Sequence, residues 1–376
     1  MIVHLFEDQK FVDITIENFE NVSDGLNKYI VFSNNEKLTY VSRKEDVIIL
    51  PNSSYKLDVD LVYKDCQLLI IHFLSPLKLY ILKHKPNHVK VIWSIWGSDA
   101  YDHFKVQNNF EPLTDVIQKS TLFQKLKDSY FFTFYHLIKY RVKPLRKELE
   151  SLQLINYVIT VLPNEFKVIK NEFGLAAEYI DYNYGINNFD KFSNKSLGNS
   201  ILVGNSATST NNHLDVFDII KCTTNADIIV PLSYGAYDYE DYKANIISEG
   251  RRIFNKNFLP IENFMQLHDY RELTFSCNTV IMYHIRQQAL ANIFMSLFQG
   301  MRLFLNNKSI TYSFLNDQGM IIFDLKKDYK LIGIELNEDD KQINKQLVLD
   351  LTSRKVIIDK TKVIIDLYKS VINPTD

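Results

Sequence analysis

Cysteine is almost absent from this chain: Cys66, Cys222 and Cys277 are the only three in 376 residues. An odd number in no metal-like spacing argues against a disulfide framework and for a reducing compartment. Long apolar runs are also missing, since no stretch approaches the roughly 18 residues of a membrane-spanning helix. The opening Met1-Ile2-Val3-His4-Leu5-Phe6 reads as a strand, too short and too little charged for a signal peptide. Charge of one sign is lacking as well, with a net value of −2, which gives no footprint for nucleic acid. There is no Walker A motif, no spaced-glycine dinucleotide fingerprint, no internal repeat and no low-complexity tract. These absences leave a cytosolic globular protein, and any membrane contact would be peripheral.

An apolar fraction of 46% and a charged fraction of 23% are those of an ordinary soluble protein, long enough for two domains. The first third reads as strands at Ile2–Phe6, Tyr29–Phe32, Val47–Leu50, Leu68–Phe73 and Val89–Ile95. The last two are continuous apolar runs, the pattern of parallel strands buried on both faces. A short helix is predicted at Pro76–Leu82, and long helical patterns run from Leu113 to Leu152. A strand at Tyr157–Leu162 and a helix at Asn164–Phe173 follow, with Gly174 as the stop. In the second half, strands are predicted at Ser200–Val203, Asp227–Pro231, near Leu259, at Asn278–Tyr283 and at Arg302–Leu305. Helices at Asn212–Ile220, Tyr239–Phe254, Ile261–Glu272 and Gln288–Gln299 alternate with them, and Glu338–Val371 is charged and partly helical. The expected organisation is an α/β domain over 1–185, a linker over 186–199, a second α/β domain over 200–350 and a helical tail over 351–376. Two doubly wound domains of this kind would face a central cleft.

Three segments carry chemistry. Both tryptophans of the chain lie in Trp93-Ser94-Ile95-Trp96-Gly97-Ser98-Asp99-Ala100-Tyr101, at the end of a buried strand. Rings beside a carboxylate suit sugar recognition, and Gly97 permits close approach of a ligand. The alternative is a core tryptophan pair with Asp99 capping the next helix. Leu202-Val203-Gly204-Asn205-Ser206-Ala207 is a strand followed by a glycine turn and small polar residues, a phosphate-friendly arrangement that any βα turn can imitate. Tyr283-His284-Ile285-Arg286-Gln287-Gln288 puts a guanidinium before a helix N-terminus, where it would clamp a pyrophosphate or simply pair with a surface carboxylate.

Together these residues resemble a family. Trp96-Gly97-Ser98-Asp99-Ala100-Tyr101 is similar to the Trp-Gly-Ala-Asp-Leu-Tyr segment of TDP-N-acetylfucosamine:lipid II N-acetylfucosaminyltransferases, glycosyltransferase family 56. Ile201-Leu202-Val203-Gly204-Asn205-Ser206 resembles the same family, with Asn211 and His213 following at its spacing. Ile229-Val230-Pro231-Leu232-Ser233-Tyr234 is similar to its Val-Val-Pro-Met-Gly-Tyr, and Arg286-Gln287-Gln288 to its Arg-Gln-Gln. His4 and His72 sit where the family carries histidines. The order and intervals agree from His4 to about Gly300. Three departures concern the donor side: Ala289-Leu290-Ala291 replaces Gly-Ile-Gly, Ser233 replaces a glycine, and Gly235-Ala236-Tyr237-Asp238 replaces a Pro-Pro segment. The chain beyond about Gly300 matches poorly.

The resemblance implies a GT-B fold and inverting transfer with no essential metal or other cofactor. It also implies a nucleotide-sugar donor on the second domain and an undecaprenyl-diphosphate-linked acceptor on the first, in bacterial surface polysaccharide synthesis. An inverting transferase needs a base, for which Asp99 is the first candidate and His4 and His72 the alternates. The donor would be held by Gly204, Asn205, Ser206, Tyr234, Arg286, Gln287 and Gln288, and the acceptor by Trp96, Gly97 and Tyr101. Two other classes stay open: a GT-B homologue that binds a glycan or nucleotide sugar without transfer, and a nucleotide-sugar 2-epimerase.

A local basic face completes the sequence picture. Lys119, Lys125, Lys127, Lys139, Arg141, Lys143, Arg146 and Lys147 alternate with Tyr130, Phe131, Phe132, Phe134, Tyr135 and Tyr140. Lys139, Arg141, Lys143 and Arg146 are the expected contacts to the inner face of the cytoplasmic membrane, each nearby cation contributing about 1 kcal/mol. The bland reading is a helix whose aromatics fill the core.

Overall fold

The structure, a computed structural model, describes residues 1–35, 37–103, 109–120, 130–185, 197–223, 225–235 and 239–373. Two compact units divide the chain: Met1–Gln107, Asp128–Gly185 and Ser353–Asp376 in one, Asn108–Lys127 and Ile186–Thr352 in the other.

In the first unit, seven strands among the described residues form one parallel sheet. They are β1 (Ile2–Glu7), β2 (Asn27–Phe32), β3 (Val47–Leu50), β4 (Leu68–His72), β5 (Lys90–Ser94), β6 (Tyr157–Ile159) and β7 (Glu178–Tyr179). Their order is β3-β2-β1-β4-β5-β6-β7. Strand periodicity sends alternate side chains to opposite faces. Val3 and Leu5 therefore join one core with Ile71 and Trp93, while Ile2 and Phe6 join the other with Ile70 and Ile92. Each such residue, when fully buried, contributes about 1.5–3 kcal/mol. The helix Arg354–Ile372 supplies Ile364, Ile365 and Tyr368 to the second of these cores.

The second unit carries β8 (Ser200–Val203), β9 (Ile228–Pro231), β10 (Phe258–Ile261), β11 (Cys277–Met282), β12 (Arg302–Leu305) and β13 (Phe323–Asp324). These six lie in the order β10-β9-β8-β11-β12-β13, again all parallel. The helix Pro112–Ser120 is bolted to this unit by polar contacts. Asp215 accepts from Leu113 N at 2.9 Å and Thr114 N at 3.0 Å, satisfying free donors of its first turn. Glu111, 1% exposed, accepts from Asn306 at 2.9 Å, Lys308 at 2.8 Å and Lys326 at 2.9 Å.

Sheet order fixes where ligands can bind. In each sheet the chain winds outward in both directions from a central strand pair, β1/β4 in the first and β8/β11 in the second. Crevices beyond the carboxyl ends of such pairs are the natural binding sites of open α/β sheets. The strands of the sequence reading all form, and Gly174 ends the helix Glu165–Phe173 in the left-handed conformation, φ +62°.

Some expectations shift. The helix predicted from Ile261 begins at Leu267, because Ile261 pairs with Pro231 in β10 and its carbonyl accepts Leu232 N at 2.8 Å. Among the described residues, the long helical stretch is broken after the helix Tyr130–Tyr140, where Arg141 adopts φ +59°, and a short helix resumes at Leu149–Leu152. The helix Ile310–Asp317 and strands β7 and β13 carry too short a pattern to read from sequence. All three cysteines are free. Residues 186–196 of the expected linker lie outside the described residues, as do Lys125, Lys127, Ala236, Tyr237, Asp238 and the side chain of Lys119.

Candidate active site

The β8/β11 crevice gathers the second-unit residues singled out in the sequence. β8 ends at Val203, and Gly204 turns the chain at φ +70°, a conformation that disfavours any side chain. A Cβ there would also lie 2.6 Å from His213 Nε2 and 2.7 Å from Asn211 Oδ1, so space forbids one too. Asn211 staples the turn from inside. Its Oδ1 accepts Asn205 N at 3.0 Å, and its Nδ2 donates to Ser206 O and Thr208 O, both at 3.0 Å. That oxygen only accepts, so His284, whose Nε2 is 2.8 Å away, carries its proton on Nε2. Burial, with Arg286 and His213 nearby, holds the His284 pKa well below the usual value, so the ring is neutral.

The turn's outer side presents polar groups. Gln288 Nε2 donates to Asn205 Oδ1 at 3.0 Å, and Gln288 Oε1 accepts from Thr210 Oγ1 at 2.6 Å. Tyr234 accepts Ala207 N through its backbone carbonyl at 2.7 Å, and its hydroxyl lies 3.4 Å from Asn205 Nδ2. The residue is 52% exposed, and its ring is of the kind that stacks on planar groups. Arg286 and Gln287 are buried, with Arg286 Nη1 donating to Gln287 O at 3.3 Å. Gly204, Asn205, Ser206, Tyr234, Arg286, Gln287 and Gln288 thus lie just past the carboxyl ends of three neighbouring strands, β8, β9 and β11. Thr210, Asn212 and His284 complete the cluster without having been marked as site residues. The left-handed Asn212, φ +54°, is the one with a local signal, an Asn directly before a helix.

In the first unit Asp99, the first candidate for the base, faces inward. This carboxylate is 2% exposed and accepts from Leu74 N at 3.0 Å, Trp93 Nε1 at 2.9 Å, Trp96 N at 3.0 Å and Gly97 N at 3.0 Å. Burial pushes its pKa up, opposed by these four donors. The donors occupy the lone pairs that an incoming proton needs, so Asp99 shapes the Trp96 loop. Gly97 within that loop adopts φ +115°, a region L side chains avoid. Trp93 is core and Trp96 half-buried, which separates the two tryptophans by role. Tyr101, expected to contact the acceptor, is 2% exposed and donates to Glu165 Oε1 at 2.8 Å.

His4 and His72 meet beneath this loop, both buried. His4 Nδ1 lies 3.1 Å from His72 Nε2, and His72 Nδ1 lies 2.6 Å from the Tyr184 hydroxyl. That hydroxyl also accepts from Trp96 Nε1 at 2.7 Å and pairs with Ser94 Oγ at 2.7 Å. Burial brings the His4 pKa down to about 3, so this ring stays neutral in the working range. Past the ends of β2 and β3, a polar hollow is bounded by Ser33, Asn34, Pro51, Asn52, Ser53 and Lys56.

The helix Tyr130–Tyr140 buries none of its residues. Tyr130, Phe131, Phe134 and Ile138 are 93%, 72%, 61% and 54% exposed, while Tyr140 at its end is half-buried against the first unit's core. Lys139, Arg141 and Lys143 are exposed beside them and Arg146 is half-buried. Lys139 Nζ sits 5.2 Å from the Tyr135 ring centre, and the Arg141 guanidinium 4.1 Å from that of Tyr55. Among the described residues no helix is long and apolar enough to cross a membrane, and no His, Cys, Asp and Glu cluster could hold a metal ion.

Residues 183–363 match the family described as 4-alpha-L-fucosyltransferase, glycosyl transferase group 56. The match contains the Ile201–Ser206, Ile229–Tyr234 and Arg286–Gln288 segments and continues past Gly300, where the sequence resemblance had faded. The Trp96 segment lies outside it. No curated protein matches the chain in sequence. Among solved structures, a glycosyltransferase from Rickettsia africae is similar at TM-score 0.62 and 13% identity, over 100% of this chain and 99% of that one. Anabaena HepE in complex with UDP is similar at TM-score 0.62 and 9% identity, over 98% and 100%. The sucrose-phosphate synthase from Thermosynechococcus elongatus gives 0.61 and 10%, over 100% of both chains. The fold is therefore GT-B.

Proposed function

From the premise that this chain is a GT-B glycosyltransferase matched by group 56 over residues 183–363, we propose that it transfers an N-acetylated deoxy sugar with inversion. The donor is a nucleoside diphosphate sugar resembling TDP-N-acetylfucosamine. The acceptor is an undecaprenyl-diphosphate-linked saccharide of a bacterial surface polysaccharide.

The observation that carries this reading is the β8/β11 strand-end cluster. Gly204 lets the turn close on buried Asn211 and His213, and on its outer side Asn205 and Gln288 brace each other at 3.0 Å. Arg286 supplies a positive charge ahead of the helix Leu290–Phe298, whose N-terminus favours a diphosphate. Tyr234 stacks on the nucleobase. The UDP held by the similarly folded Anabaena protein supports a nucleotide in this kind of fold. In the first unit, Trp96 and the Gly97 turn contact the acceptor, with Asp99 holding their shape from below. His4 and His72 belong to the buried polar chain that orients Tyr184 and Trp96.

The exposed aromatic face of Tyr130–Tyr140 and the cations Lys139, Arg141, Lys143 and Arg146 support peripheral association with the inner face of the cytoplasmic membrane. A lipid-linked acceptor makes that location useful, because both substrates then meet at one surface.

Calorimetry against TDP, UDP, GDP and CMP, without added metal, tests the donor. Selective TDP binding agrees with the proposal; a UDP or GDP preference moves the donor and points to the Ser233 and Ala289–Ala291 departures. Binding to none of the four would overturn the transferase reading. Co-sedimentation with vesicles containing anionic phospholipid tests the membrane contact. Binding that survives Phe131→Ser and Phe134→Ser together would remove the helix from it.

A further inference from the structure

The β1/β4 crevice holds a carboxylate that sequence reading passed over. Glu7 is the last residue of β1, at the carboxyl end of the first unit's central strand pair. Its side chain is 19% exposed, whereas Asp99, His4 and His72 are each 2% exposed or less. Lys78, on the helix Pro76–Lys83, is completely buried and donates to Glu7 Oε2, to His72 O and, at 3.1 Å, to Phe73 O. An ammonium has three protons, so all three are engaged. The same contact supports the turn after β4, where Phe73 adopts φ +61° and Leu74 N donates to Asp99. Glu7, Lys78, Phe73 and Asp99 therefore form one continuous assembly that leads to the Trp96 loop.

Only one oxygen of Glu7 is used in it. Oε2 is fixed by Lys78, and Oε1 has no hydrogen-bond donor among the described residues. A carboxylate held at one oxygen and open at the other, at a strand-end crevice, has the geometry of a positioned base. Asp99 differs because four donors fill it, and Asp8 because it accepts Thr39 N and Tyr40 N.

We propose that Glu7 is the catalytic base of the transfer and that Lys78 is the residue that positions it. This rests on the transferase reading above. The acceptor hydroxyl gives its proton to Glu7 Oε1 as its oxygen forms a bond to the anomeric carbon. The bond from that carbon to the diphosphate oxygen breaks, and its electron pair leaves with the nucleoside diphosphate.

The test compares Glu7→Gln, Lys78→Met and the double variant in the full chain. Turnover is read as TDP release from TDP-N-acetylfucosamine with an extract of undecaprenyl-diphosphate-linked saccharides, and TDP affinity is read by calorimetry. Glu7→Gln is expected to lower kcat at least 100-fold while TDP affinity stays within twofold of wild type. It also leaves Lys78 buried without a counter-charge and so lowers the melting temperature. The double variant removes that charge and is expected to recover the melting temperature while its kcat remains low. Recovery of kcat together with the melting temperature would show that Glu7 serves only the fold and would overturn the proposal. So would a Glu7→Gln variant that turns over normally. Wild-type protein that binds none of TDP, UDP, GDP and CMP would instead defeat the transferase reading, which separates the two failures.

Discussion

The two central strand pairs treat polar side chains in opposite ways. At β1/β4 the marked residues face inward: Asp99 accepts four donors, His72, Tyr184 and Trp96 pair among themselves, and His4 joins them through Nδ1 alone. At β8/β11 an inner layer of Asn211, His213 and His284 braces an outer layer of Asn205, Gln288 and Tyr234 that remains partly open. The same residue types therefore mean different things in the two places. A buried group whose lone pairs and protons are all engaged fixes backbone shape, because losing any partner leaves an unsatisfied polar atom. A group braced on one side and open on the other can meet a ligand. Glu7 is the first unit's member of that second kind.

The largest expected effect separates the two roles. Asp99→Asn places an amide NH2 against N–H donors, leaving at least one buried donor unpaired, and should destabilise the first unit by about 3 kcal/mol. Thermal melting is expected to fall by several degrees while TDP affinity of the folded protein stays unchanged. A variant that melts like wild type yet loses turnover would break the comparison and return Asp99 to a chemical role. Gly204→Ala comes next. Its Cβ meets Asn211 and His213 at 2.7 and 2.6 Å and is forced to φ +70°. A cost of about 2 kcal/mol and at least tenfold weaker TDP binding are expected, read by melting and calorimetry. Unchanged affinity would remove this turn from the donor site.

How much of this could be read in the sequence follows from the range of the interactions. The β8 turn was legible because glycine, small polar residues and the following helix lie within a few positions of each other. The Arg286-Gln287-Gln288 segment was legible for the same reason. The burial of Asp99 left less trace, because one of its donors, Leu74 N, comes from the turn after β4, 25 positions away. Glu7 needed Lys78, 71 positions away, and the adjacency of β1 and β4. The attachment of Pro112–Ser120 through Asp215 spans 101 positions and left no local trace.

That attachment gives a pH-dependent test of how the second unit is braced. Burial opposes a charge on Glu111, but Lys308, Asn306 and Lys326 outweigh it and bring its pKa from 4.5 down to about 2. A carboxyl whose folded pKa is depressed stabilises the protein above its unfolded pKa and loses that contribution as pH falls through the folded one. Wild type should therefore lose stability between pH 4.5 and about 2, with part of that loss traceable to Glu111. Glu111→Gln is expected to start lower in melting temperature at pH 7 and to fall less steeply over this window. Because Lys308 and Lys326 are 57% and 48% exposed, added salt should shrink the difference. Parallel acid curves for the two proteins would mean that Glu111 contributes no measurable bracing.

The smallest expected effect concerns Ala289, which stands where the resembled family carries glycine. It adopts φ +58° directly before the helix Leu290–Phe298, so an L side chain occupies a conformation that glycine takes freely. Relief of that strain by Ala289→Gly is worth about 1 kcal/mol, offset in part by the greater freedom of glycine in the unfolded chain. A melting temperature at or slightly above wild type is expected, where the same substitution in an ordinary helix would lower it. If the open side of the β8/β11 crevice receives a diphosphate, the missing methyl also lets the backbone come closer and TDP should bind several-fold tighter. Improved melting without improved binding would confine Ala289 to the fold and place the diphosphate nearer Gly204. A lower melting temperature would mean that the left-handed turn carries no strain.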